Sequence, residues 1–104
     1  MSIAKHILIV DDELEIRKII QEILNDEGYS TSSASSAEEA RIEVNNKKPD
    51  LVFLDIWMPD EDGISLLKEW TSQPETNFPV IMISGHATIE TAIEATKLGA
   101  KDFI

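Results

Sequence analysis

Apolar residues follow two alternating rhythms along this chain. Ile7-Leu8-Ile9-Val10, Leu51-Val52-Phe53-Leu54 and Val80-Ile81-Met82-Ile83 are short unbroken apolar runs. Runs of that length, with no polar position inside them, predict strands buried on both faces, as in a parallel sheet. Between the runs the spacing becomes helical. From Asp12 onward, Ile16, Ile19, Ile20, Ile23 and Leu24 repeat at i, i+3, i+4, i+7 and i+8 until Gly28 stops the pattern. Ser36 followed by Glu39 is a capping-box signature that opens a helix to about Asn45. Met58–Gly63 reads as a loop, and Ile64 to about Thr71 as a short helix burying Leu67 and Trp70. Thr88 can cap a further helix, over 88–98, that carries Ile89, Ala92, Ile93 and Thr96 and stops at Gly99. Two segments are weaker: Tyr29–Ala34 is polar and suits a sheet edge, and Asp102-Phe103-Ile104 opens a fifth strand.

The predicted order is therefore βαβαβαβαβ. Right-handed crossovers place each helix back over the sheet, so the expected fold is α/β, a doubly wound parallel five-stranded sheet in the flavodoxin-like order 2-1-3-4-5. At 104 residues the chain is the size of one domain, 1–104. In such sheets ligands bind outside the carboxyl ends of the strands, where the strand order reverses.

Charge narrows the partners. Nine basic residues against 20 acidic ones give a net charge of −11. That balance excludes phosphate-contacting nucleic-acid binding and disfavours anionic membranes. Cysteine is absent, which removes disulfides, thiolate metal sites and cysteine nucleophiles. The apolar runs reach four residues, far short of the roughly 18 needed to cross a membrane. The expected compartment is the cytoplasm.

The chemistry sits at the strand ends. Val10 leads into Asp11-Asp12, Leu54 into Asp55 and Ile83 into Ser84. If the first and third strands are neighbours, their carboxylates converge in one crevice. Two carboxylates about 5 Å apart repel by roughly 3–4 kcal/mol at an effective dielectric near 20. Such a gathering requires either an offsetting cation or a protonated member. All-oxygen ligands with open water positions suit Mg²⁺, the usual companion of a phosphoryl group. Taken singly, Asp11-Asp12-Glu13 also fits plain helix-start acids, and Asp55 a turn residue. Asp60, Asp62, Gly63 and Glu69 echo part of a calcium-loop spacing. However, Met58 stands at its first ligand position and Pro59 follows, so that reading fails. His6 reads as packed or solvated, and Trp57 and Trp70 as packing residues.

Together, Asp11-Asp12, Asp55, Met58-Pro59-Asp60-x-Asp62-Gly63, Ser84-Gly85 and Gly99-Ala100-x-Asp102-Phe103 resemble the receiver domain of bacterial response regulators, over nearly the whole chain. Ile83-Ser84-Gly85-His86-Ala87 with Glu90-Thr91-Ala92 is similar to the nitrogen-regulation class, activators that act with sigma-54. The resemblance implies a phosphorylation-dependent switch. Asp55 is the phosphoacceptor, taking its group from a sensor histidine kinase. Asp12 and Asp55 bind Mg²⁺ directly with the backbone carbonyl of Trp57, and Asp11 orients a metal-bound water. Ser84 contacts the phosphoryl group, Phe103 is the switch aromatic, and His86 lies close enough to influence hydrolysis. The helix over 88–98 and the last strand pass the change to an output, expected to be transcription regulation by a domain outside this chain. Self-phosphorylation and autodephosphorylation are the only chemistry implied. A flavodoxin-like small-molecule binding domain and an aspartyl-nucleophile phosphatase are the alternatives. Asp-Asp-Glu after the first strand speaks against the first, and the lack of a second acid at Trp57 against the other. One departure stands out. The family places a Lys three residues after the switch aromatic, then a last helix, whereas the chain stops at Ile104. The expectation is a C-terminally incomplete domain whose uncovered apolar surface favours a homodimer, a swapped arrangement or low stability.

Overall fold

The alternation becomes a five-stranded sheet in the computed structural model, which describes residues 5–73 and 78–83 and the backbone of 102–103. Strands β1 (His6–Val10), β2 (Ser30–Ala34), β3 (Leu51–Asp55), β4 (Val80–Ile83) and β5 (Asp102–Phe103) lie in the order β2-β1-β3-β4-β5. Every pairing is parallel. This is the expected order. Helices α1 (Leu14–Asp26), α2 (Ala37–Asn46) and α3 (Gly63–Thr71) follow β1, β2 and β3 in turn. The helix expected over 88–98, together with Ser84 and His86, lies outside the described residues.

All five residues of β1 are buried, because the strand has a neighbour on each side and a layer on each face. That explains its unbroken apolar run. Val10 pairs with Ala34 of β2 and with Leu54 of β3, so β1 and β3 end level with each other. The polar β2 occupies the edge, and its hydroxyls serve the buried His6. The two ring nitrogens of His6 lie 2.9 Å from Ser30 Oγ and 3.0 Å from Ser32 Oγ.

The larger core lies where Leu8, Val10, Val52, Leu54 and Met82 cluster with Ala37, Ala40, Leu66, Leu67 and Trp70. Trp70 stands edge-on to Phe78, ring centroids 5.2 Å apart. On α1 the burial is shallower: Ile16, Ile20 and Leu24 are half-buried, while Ile19 and Ile23 are exposed. The apolar stripe is wider than the helix's line of contact.

Local hydrogen bonds set the element ends. α1 begins at Leu14 instead of Asp12 because the Glu13 N–H donates to Asp11 Oδ1 at 2.8 Å, which turns the chain before the helix starts. It stops where Gly28 takes φ 94°, a left-handed conformation that glycine adopts without a side-chain penalty. At α2, Ser36 Oγ accepts the Glu39 N–H at 3.1 Å, as the capping signature predicts. The Glu39 carboxylate reaches one residue further back than a standard capping box, to the N–H and hydroxyl of Ser35. Trp57 corrects the sequence reading. It is 51% exposed and not packed, because the chain climbs out of the sheet after β3 and Met58 packs against the core in its place.

Candidate functional site

Two strands that end level bring their acids together. Asp55 is the last residue of β3, and Asp11 follows β1 directly. One carboxylate oxygen from each of Asp11, Asp12 and Asp55 lies within 4.8 Å of the others. Asp11 and Asp55 are buried, at 7% and 8% exposure, and Asp12 is open to solvent. The convergence expected from the strand ends is therefore present in the fold.

Asp11 and Asp55 are held by backbone hydrogen bonds. The Asp11 N–H donates to the Ala34 carbonyl at 3.1 Å, and its carboxylate takes the Glu13 N–H. Arg17, which the sequence reading passed over, donates a guanidinium N–H to the Asp11 carbonyl at 2.7 Å. Its only signal in the sequence is a cation one turn into α1. Past Asp55, the Gly63 N–H closes the loop on the Ile56 carbonyl at 2.6 Å. A Cβ at residue 63 would collide with the Asp55 carbonyl oxygen, so only glycine allows this approach. Asp62 caps α3, accepting the Ser65 N–H at 2.7 Å.

Burial and like charge resist ionisation here. The Asp55 carboxyl is raised from 3.8 to about 6, first by desolvation, then by Asp11 and Asp12, with the Trp57 and Ile56 amides pulling the other way. Asp11 is also raised, mainly by burial and against the pull of the Glu13 amide, with Arg17 the weakest influence. At 4.8 Å, two ionised members repel by roughly 3–4 kcal/mol at an effective dielectric near 20. Such a group is ready to hold a hard cation through oxygen while leaving a solvent side open at Asp12. Of the other expected site residues, Trp57 lies in the loop two residues past Asp55, and Phe103 is placed in β5 opposite Met82. The side chain of Phe103 and all of Ser84 fall outside the described residues.

Residues 7–104 match the family of the response regulator receiver domain. The chain belongs to that family. It is 48% identical over 103 residues to the nitrogen assimilation regulatory protein NtrX of Azorhizobium caulinodans, covering 97% of this chain and 22% of that protein. It is 39% identical to the regulatory protein AtoC of Escherichia coli K12, covering 100% of this chain and 22% of the relative. A receiver domain protein (CheY-like) from Methanospirillum hungatei JF-1 superposes with a TM-score of 0.91 at 32% identity, covering 98% of this chain and 81% of that one. The suspected nitrogen-regulation class is thus the one its NtrX relatives occupy. This receiver spans about a fifth of the length of the curated relatives it matches. Receiver domains are signalling domains and not turnover enzymes, and neither the flavodoxin-like nor the phosphatase alternative is favoured. Among the described residues, no helix is long and apolar enough to cross a membrane.

Proposed function

We propose that this receiver is a phosphorylation-dependent switch in which Asp55 takes a phosphoryl group from a phosphohistidine on a sensor histidine kinase. One observation carries the reading: three carboxylates within 4.8 Å, two of them buried, at the ends of adjacent strands. The donor set fits Mg²⁺, since the ligands are all oxygen and the Arg17 charge relieves Asp11 least among its neighbours. Asp12 and Asp55 would hold the ion with the carbonyl of Trp57, and Asp11 would orient a bound water. When bound, the ion neutralises charge on the phosphoryl oxygens.

The chain's own residues supply the rest. Asp55 is the nucleophile: a carboxylate oxygen bonds to phosphorus while the histidine nitrogen leaves, giving an acyl phosphate. The Trp57 and Ile56 amides favour the ionised form that this attack needs. Ser84 donates its hydroxyl to a phosphoryl oxygen, and Phe103 turns inward in response. The phosphoryl group carries about −1.5 to −2, by analogy with other phosphorylated side chains, in place of the carboxylate's single charge, and its charge and bulk bias the segment beyond β4 and so the output. Transcriptional regulators among the relatives support transcription regulation as that output; residues 1–104 act as the receiver unit, in the cytoplasm. Autodephosphorylation resets the switch.

The test is incubation with Mg²⁺ and a small phosphodonor, followed by intact-mass and peptide analysis. A single adduct mapping to Asp55, absent from Asp55→Asn and lost with a chelator, is the expected result. An equal adduct in Asp55→Asn would overturn the proposal.

A further inference from the structure

The first turn of α2 has its free amides satisfied from two places. Ser36 Oγ, local to the helix, takes the Glu39 N–H. Asp60, more than 20 residues further along and two residues before α3's own cap, takes the two amides before it. Its Oδ1 accepts the Ala37 N–H at 3.1 Å, and its Oδ2 accepts the Glu38 N–H at 3.2 Å. Its neighbour Glu61 bonds Arg41 of α2 through both oxygens, at 2.8 and 2.9 Å. The segment 56–62 is thus fastened at its base by the bond from the Gly63 N–H to the Ile56 carbonyl, and at its tip by two anchors on α2. Trp57, Met58 and Pro59 span the interval between those fastenings. The anchor is firm, because Ala37 and Ala40 seat α2 in the core with no exposed surface.

We infer that Asp60 is a positioning residue, which holds the loop after Asp55 against α2 and so fixes the Trp57 backbone beside the carboxylate cluster. This rests on the metal-binding reading proposed above. The Ala37 and Glu38 amides hold the Asp60 carboxyl below its ordinary value, so it is ionised wherever the cluster can bind metal. An uncapped α2 can survive on its core contacts. A loose tip, in contrast, lets the Trp57 carbonyl drift, and a ligand misplaced by an ångström binds poorly.

Two caps on one helix end provide the control. Asp60→Ala and Ser36→Ala both weaken the start of α2, but only the first removes one of the two anchors that hold the loop tip. The expected result is a fall in Mg²⁺ affinity of roughly tenfold by calorimetry for Asp60→Ala, the scale on which residues supporting metal ligands act. Asp60→Asn, which keeps one acceptor, should recover part of that loss, and Ser36→Ala should remain within about twofold of the parent. Amide hydrogen exchange at residues 57, 58, 60 and 61 should quicken in Asp60→Ala and not in Ser36→Ala. Equal effects of the two alanine variants on affinity and on loop exchange would overturn the inference. If the parent chain binds no Mg²⁺, the metal reading itself falls, and the exchange comparison alone still decides whether Asp60 holds the loop.

Discussion

Asp55 carries two demands that conflict. It must be buried enough to keep water from competing for the phosphoryl group, yet ionised enough to attack. Its carboxyl, raised to about 6 by burial first and then by Asp11 and Asp12, sits between them. A proton and a divalent ion then compete for the same oxygens. Mg²⁺ affinity is expected to be flat above about pH 7 and to fall by up to about tenfold for each unit below 6, as measured by calorimetric titration. A flat profile from pH 7 to 5 would show that Asp55 is not a ligand. Gly63 is the second sensitive residue. Gly63→Ala drives a methyl into the Asp55 carbonyl and within 3.0 Å of the Ile56 Cα. The expected loss is about 3 kcal/mol in urea denaturation, the upper range for overpacking, with the metal affinity reduced as well. Asp11, Asp12 and Asp55 were legible in the sequence because each ends an apolar run, and strand ends are where parallel sheets place ligands. Asp60 and Arg17 were not legible as supports. Their partners are a distant helix start and a backbone carbonyl, which no local spacing encodes.

At the scale of elements, the strands and helix types were readable because burial on both faces and the helical period leave different patterns. The ends were less so. α1 starts two residues after Asp12 because a side chain of the site, Asp11, captures the Glu13 amide first. Helix-to-helix ties were invisible, and Arg41 shows why. Its guanidinium bonds Glu61 and Glu69, which lie 20 and 28 residues away in the sequence and on different elements. It reaches the exposed Glu38 on its own helix only at 3.8 Å. Removing Arg41 leaves two partly covered carboxylates facing each other, so the loss exceeds that of an ordinary surface pair. Arg41→Leu is expected to cost about 1–2 kcal/mol at low salt, shrinking in 1 M salt as screening removes the repulsion. The double variant Arg41→Leu/Glu69→Gln should lose less than Arg41→Leu alone, because one orphaned charge is gone. A loss independent of salt would assign Arg41's contribution to packing instead.

For the whole molecule, these local charges combine into a dependence of stability on pH in which the carboxylate cluster acts against His6. Asp55 has an ordinary value of 3.8 and a folded value of about 6. Between those values the folded chain binds more protons than the unfolded one, so stability falls as pH rises through this window. Asp11, shifted in the same direction, adds to the fall. His6 acts oppositely. Burial lowers its folded value below 6.5, so its contribution to stability is full above 6.5 and is lost on acidification. Glu39 and Glu69, held low by Ser35 and Arg41, also lose their stabilisation in acid, but nearer their ordinary value of 4.5. Between pH 5.5 and 7.5 the carboxylates and the histidine therefore pull stability in opposite directions. In the metal-free chain the Asp55 contribution should fall between pH 5.5 and 7.5 by on the order of 1 kcal/mol at most, less after allowance for solvent screening, with His6 opposing it. Saturating Mg²⁺ should invert this, adding about 2.7 kcal/mol at a hundredfold excess over its dissociation constant near neutrality and far less in acid. Asp55→Asn removes the buried charge, so its metal-free stability at pH 7.5 should exceed that of the parent, and its remaining pH slope should carry the sign of His6. Urea midpoints measured with and without chelator check each part. An Asp55→Asn chain with the parent's slope and no gain at pH 7.5 would mean that the cluster does not hold its charge at a cost in stability.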